Sequence, residues 1–73
     1  MIAVRDINEI AKTVKRLRKA QGVSQTVLAQ LSNVGLRFVR DVESGKESVH
    51  FGKLVSVLTT LGIELNLNLP PED

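Results

Sequence analysis

A small, mainly α-helical bundle closed by one C-terminal β-strand is what this sequence predicts. Three observations carry the expectation. Apolar residues recur at helical spacing in segments separated by Gly, Ser and Asn. Two of those segments, inside Gly22–Gly45, are short and joined by a sharp turn. The last apolar stretch, Ile63 to Leu69, changes period and alternates apolar with polar without a slip, as a half-buried strand does.

Asp6 is placed to cap the first helix, with Glu9 three positions on as the partner of a capping box. Ile7, Ile10, Ala11, Val14 and Leu17 form one apolar face, and Lys12, Lys15, Arg16 and Lys19 fall on the opposite one. Arg18 projects close to the apolar edge, and Gly22 ends the helix. Ser24 caps the second helix. Leu28 and Leu31 are expected to point inward, and Ala29 is small enough to admit a neighbouring helix. That helix stops near Ser32-Asn33, because Asn tolerates the left-handed conformation a sharp turn needs. Gly35 opens a third helix anchored by Val39 and Val42, with Leu36 or Phe38 helping, and Ser44-Gly45 closes it. A fourth runs from about His50 to Leu61 with a buried stripe of Phe51, Leu54, Val57, Leu58 and Leu61, and Gly62 terminates it.

The strand after Gly62 is stopped by Pro70-Pro71, since proline cannot donate to a ladder. One strand cannot stand alone in water, because its backbone groups and apolar side need partners. Within the chain only Met1–Arg5 offers a weak partner. The favoured arrangement is an antiparallel ribbon with the same strand of a second copy about a two-fold axis. Ile63, Leu65, Leu67 and Leu69 would then cover the helices of both subunits. A tail docked on another protein is the remaining option. The expected organisation is thus a helical domain over residues 6–62 and a dimerisation strand over 63–69.

Composition narrows the function. Seventy-three residues make a single small domain with limited buried surface. The absence of cysteine and the single histidine exclude disulfide staples and multi-thiolate or multi-histidine metal sites. Self-association is the staple that remains. Two aromatic residues, Phe38 and Phe51, are too few for the stacking platforms of single-strand nucleic-acid binders. Residues 1–46 carry nine Lys/Arg against four Asp/Glu, whereas residues 47–73 carry one Lys against four acids. The basic half is therefore the one suited to a polyanion. Neither a signal peptide nor an apolar run of membrane-spanning length is visible, so a cytosolic protein is expected. No histidine–carboxylate–nucleophile set and no phosphate-cradling glycine loop is present, so neither an enzyme nor a cofactor is expected.

Two short helices joined by a tight turn, the second lifting arginines off an apolar underside, form the layout of a helix-turn-helix, which lays one helix in the major groove of DNA. The third helix should expose Arg37, Arg40 and Asp41 opposite Val39 and Val42. Arg37, near the helix start, is the first candidate to read guanine through two hydrogen bonds. Arg40 can read a base or bind phosphate. Asp41 can accept from cytosine or orient Arg37 through an i,i+4 pair. Ser24, Gln25 and Thr26 open the second helix, whose free N–H groups suit a phosphate. Gln25 can also brace the recognition helix. Lys46 can reach backbone phosphate, and His50 can cap the fourth helix or touch phosphate. If the first and third helices pack together, Arg18 and Glu43 form a partly buried ion pair between them.

Arg18, Gly22-Val23-Ser24-Gln25, Leu28-Ala29, Val34, Val39, Val42-Glu43, Gly45-Lys46, Leu54, Leu61 and Gly62 together resemble the signature of the Cro/CI-type (XRE) helix-turn-helix family. The resemblance spans about residues 6–62. It implies a lambda-repressor-like bundle of four or five helices that binds operator DNA as a dimer. It also implies that Arg18 pairs with Glu43, that Gln25 lies against the DNA backbone, and that Leu36, Arg37, Arg40 and Asp41 face the bases. Three positions depart from the family pattern: Asn33 stands for the turn glycine, Gly35 for a Ser/Thr cap, and Val27 for a glutamate. The short length and the strand over 63–69 are similar to HipB-type antitoxins. That likeness implies a homodimer that represses its own operon and holds a HipA-type kinase toxin inactive. The leading expectation is a sequence-specific repressor that is the antitoxin of a toxin–antitoxin module. The alternatives are a stand-alone repressor and a protein-interaction module that no longer meets DNA.

Overall fold

The computed structural model describes residues 6–66, 70 and 71. Among these residues four helices follow one another: α1 (Ile7–Ala20), α2 (Gln25–Ser32), α3 (Leu36–Glu43) and α4 (Phe51–Thr60). Three of them are started by residues whose side chains can satisfy a free helical N–H. Asp6 Oδ1 accepts from the Glu9 amide at 3.1 Å, Ser24 Oγ from the Val27 amide at 3.1 Å, and His50 Nδ1 from the Lys53 amide at 3.2 Å. Gly35 precedes α3 without a side-chain cap. The turn between α2 and α3 hinges on Asn33, which adopts φ 56°, ψ 44°, the left-handed conformation expected of it.

The core lies where the four helices converge. Val14 of α1, Leu28 and Ala29 of α2, Val39 and Val42 of α3, and Leu54, Val57 and Leu58 of α4 are buried, with Leu61 just beyond. Ile10, Val23, Val34, Leu36, Phe38, Val49 and Ile63 pack around this cluster half-buried. α3 packs against both α1 and α2, and α4 packs against α2. α3 is therefore clamped along its Val39/Val42 side and open on the other. The cationic residues Lys12, Lys15, Arg16 and Lys19 of α1 all face solvent.

Two expectations about the core are corrected. Leu31 is 65% exposed, and Ser32 is buried in its place. In an eight-residue helix pressed between α3 and α4, the buried stripe is the narrow Leu28–Ala29–Ser32 line. Leu31 falls off its edge. Ser32 tolerates burial because its hydroxyl donates to Thr60 Oγ1 at 3.0 Å while its carbonyl accepts from Ser56 Oγ at 2.7 Å. Phe51 is 68% exposed, because the first turn of α4 overhangs the core. Half-buried Val49, just before the helix, packs against the core there instead.

The alternating tail forms no ladder over residues 63–66. The Ile63 amide donates to the Leu58 carbonyl at 2.8 Å, closing α4, and Ile63 packs on the core. Leu65 remains 41% exposed. The expected strand residues Leu67 and Leu69, and the weak partner Met1–Arg5, lie outside the described residues.

Gly45 holds φ +81° directly against α1, where an added β-carbon would overlap Asn8 Oδ1. Gly45→Ala should therefore cost at least the ~1–2 kcal/mol of a left-handed non-glycine residue. In a domain this size that corresponds to a melting temperature lower by roughly 4 °C or more. Gly35→Ser, at φ −73° with open space around it, should instead gain a few tenths of a kcal/mol by adding the missing cap. Thermal unfolding followed by circular dichroism checks both; equal melting temperatures for wild type and Gly45→Ala would contradict this account of the turn.

Candidate nucleic-acid interface

The interface is built on a buried polar lock. Arg18, on the core-facing side of α1, is only 9% exposed. Its Nε donates to Glu43 Oε2 at 2.6 Å and its Nη2 to Glu43 Oε1 at 3.0 Å, a two-pronged contact that suits a planar guanidinium. Its Nη1 donates to the Val23 carbonyl at 2.9 Å, which ties down the loop leading into α2. Glu43 Oε1 accepts a further hydrogen bond from Gln25 Nε2 at 3.1 Å. One carboxylate at the end of α3 thus holds α1, the start of α2 and α3 itself in fixed relation. Hydrogen bonding to Glu43 raises the Arg18 pKa above its ordinary value; burial opposes the rise, and the Glu43 charge adds to it. A pKa raised on folding means a contribution present throughout the range below the unfolded arginine pKa and lost only as pH climbs past it. The Arg18 side of the lock is accordingly insensitive to pH around neutrality.

With its Val39/Val42 side buried, α3 turns Arg37 and Arg40 into solvent. Both fall on the face the sequence assigned to them, and Arg37 sits in the first turn. Asp41 is half-buried and does not pair with Arg37, one of the two roles the sequence left open to it; it faces Lys46 across 3.6 Å in a partly exposed ion pair. The cause is the turn after α3, where the Lys46 amide donates to the Asp41 carbonyl at 3.1 Å and brings the two side chains together. Leu36, which the resemblance placed on the base-facing surface, is half-buried against the core. Ser24 and Thr26 are exposed at the start of α2, with Ser24 occupied as the cap. Gln25 takes the bracing role, its amide nitrogen engaged by Glu43. His50 is a helix cap.

Two features escaped the sequence reading. The Val23 carbonyl as a third partner of Arg18 depends on backbone placement and leaves no pattern in the chain. The hydroxyl seam joining Ser32 to Ser56 and Thr60 left a faint one: Ser56 and Thr60 lie four apart on α4, so they share a face of an otherwise apolar helix. Among the described residues no buried side-chain nitrogen or oxygen lacks a hydrogen-bond partner, so the polar lock is complete. Among the same residues, no three His, Cys, Asp or Glu side chains are gathered so as to hold a metal ion, and no helix is long and apolar enough to cross a membrane.

Two helices crossing a left-handed turn, with a clamped underside and an exposed arginine face, define a helix-turn-helix domain. Residues 14–68 match the helix-turn-helix family model, and the chain belongs to the Cro/CI-type helix-turn-helix family of DNA-binding transcriptional regulators. An uncharacterized helix-turn-helix-type transcriptional regulator of Sinorhizobium fredii, y4mF, is 41% identical over 64 residues, which cover 88% of this chain and 84% of that protein. Among solved structures, a chain of the HipA-HipB-O2-O3 complex superposes with a TM-score of 0.85 at 15% identity, over 97% of this chain and 100% of that one. The restriction-modification controller protein C.AhdI of Aeromonas hydrophila superposes with a TM-score of 0.70 at 33% identity, over 80% of this chain and 88% of that one.

Glu43→Ala would strand a buried guanidinium and should destabilise the domain by about 3–5 kcal/mol, whereas replacing both partners, as in Arg18→Met with Glu43→Leu, should recover most of that loss. Urea denaturation of the single and double variants measures the difference. A single variant as stable as wild type would show that the lock does not hold the helices.

Proposed function

We propose that the chain is a sequence-specific repressor that binds operator DNA as a homodimer and serves as the antitoxin of a toxin–antitoxin pair. The observation that carries the DNA-binding part is the arginine face of α3, free on one side and immobilised on the other by the core and by Glu43. Arg37 is the residue assigned to base reading, worth ~1–3 kcal/mol of discrimination at a guanine. Arg40 and Lys46 supply base or phosphate contacts beside it. The uncapped N–H groups at the start of α2, with Ser24 and Thr26, receive a phosphate.

The dimer is supported by an open apolar groove on the flank of α4 away from α2. Phe51, Val55, Leu58, Ile63 and Leu65 line it, and Phe51 and Leu65 are well exposed. A surface of this kind on a small domain calls for a cover. The alternating tail of a second copy, entering with Ile63, Leu65, Leu67 and Leu69, fits that need. Two copies present two recognition helices to half-sites about one turn apart, ~34–36 Å.

The antitoxin part rests on the shared fold with the HipB structures and on the tail that follows the fourth helix. In this reading a HipA-type kinase is the second partner. A stand-alone repressor is the competing reading, favoured by the higher identity to the controller protein than to the HipB chains. Co-purification with the product of any adjacent kinase-like reading frame separates the two.

Arg37→Ala should weaken binding to the chain's own promoter about 10-fold or more while leaving helix content and sedimentation unchanged. Loss of folding instead would show that Arg37 serves the core. Leu65→Lys should give a monomer in analytical ultracentrifugation and lose promoter affinity with it, because the two sites are no longer linked. A Leu65→Lys variant that remained dimeric would move the subunit contact elsewhere.

A further inference from the structure

The outer side of α1 has no part in the core, the polar lock or the recognition face, yet it is strongly cationic. Lys12, Lys15, Arg16 and Lys19 are exposed, and none of them has an ion pair among the described residues. Helical spacing puts Asn8, Lys12, Lys15 and Lys19 on one line along the helix, with Arg16 beside it. The start of that line is anchored to the interface already described. Asn8 lies against Gly45, and Gly45 adjoins Lys46 at the end of α3. The cations of α1 therefore continue a track that begins at the turn following the recognition helix.

We propose that Lys12, Lys15 and Lys19 form a second phosphate-binding row, which carries the DNA contact of this chain past the groove read by α3 and onto the neighbouring backbone. The proposal rests on the DNA-binding reading above. Lys12 to Lys19 spans about 10 Å of helix at 1.5 Å per residue, close to the rise of three nucleotides along one strand of B-DNA. The chemistry of the row favours nucleic acid over an acidic protein. Protein interfaces are depleted in lysine and organised around buried aromatic or arginine anchors, whereas this face offers ammonium groups and no aromatic side chain. Lysine binds phosphate as a point charge and needs no fixed geometry to do so.

The test uses the full chain and a mixed-sequence 40-base-pair duplex, with binding followed by anisotropy across a range of KCl concentrations. The triple variant Lys12→Gln, Lys15→Gln, Lys19→Gln keeps good helix formers on an exposed face. It should fold like wild type and bind more weakly at low salt. Its plot of log K against log salt should be shallower by about 2–3 units per subunit, and each single variant by about 0.9. Lys53→Gln, on α4, should leave the slope unchanged. A folded triple variant with the wild-type slope overturns the proposal. In that case Arg37→Ala still weakens binding and the DNA-binding reading stands. Failure of the wild-type chain to bind any duplex at low salt overturns both.

Discussion

The position of the recognition helix depends on the contact between Arg18 and Glu43. A 73-residue chain buries a modest fraction of its surface, so packing alone leaves little margin for fixing four short helices. α3 is only eight residues long, below the length at which an isolated helix is stable in water. Valines at two positions hold its underside, but apolar contact is non-directional and leaves its rotation and tilt loosely specified. A carboxylate bound through two prongs to a guanidinium on α1, and again to an amide on α2, removes that freedom. The pair works because no polar atom is left over. The third guanidinium nitrogen of Arg18, Nη1, donates to the Val23 carbonyl, and Glu43 receives Gln25 as well.

The same contact explains how a fold of this size presents a charged face without losing its shape. Arg37 and Arg40 stand in solvent because the opposite side of α3 is fully committed. Gln25 connects the start of α2 to the end of α3, so these two segments keep a fixed distance. Such preorganisation lowers the ordering cost of binding. On the other side of α2, the hydroxyls of Ser32, Ser56 and Thr60 hold α4 in register. The flank of α4 that carries Phe51 and Val55 is thereby fixed relative to the helix-turn-helix. A subunit contact on that flank would set the separation between two recognition helices.

Charge is distributed with the same economy. Cations line α1 and α3, and the acids that accompany them are mostly occupied: Asp6 as a cap, Glu43 in the lock, Asp41 beside Lys46. These carboxylates offset part of the cationic charge, and the basic half keeps an excess of nine Lys/Arg over four Asp/Glu for a polyanion to meet.

Much of this was legible in the chain. Helical periodicity, the caps Asp6, Ser24 and His50, the left-handed Asn33 and the exposure of Arg37 and Arg40 are local properties, set by spacing within a turn or two of helix. Even the Arg18–Glu43 pair showed itself, as two charges at the edges of apolar stripes. What the sequence could not determine is how those stripes meet. Leu31 and Phe51 read as core residues by their period, and packing left them outside because α2 is squeezed between two helices and α4 begins beyond the core's rim. Helical spacing offered Asp41 a partner in Arg37, and the turn at Gly45 brought Lys46, five residues on, to it instead. The alternating tail has the period of a strand, yet a strand exists only when another backbone accepts its hydrogen bonds. Local propensity belongs to the chain, whereas burial and pairing belong to the surfaces that tertiary contact brings together.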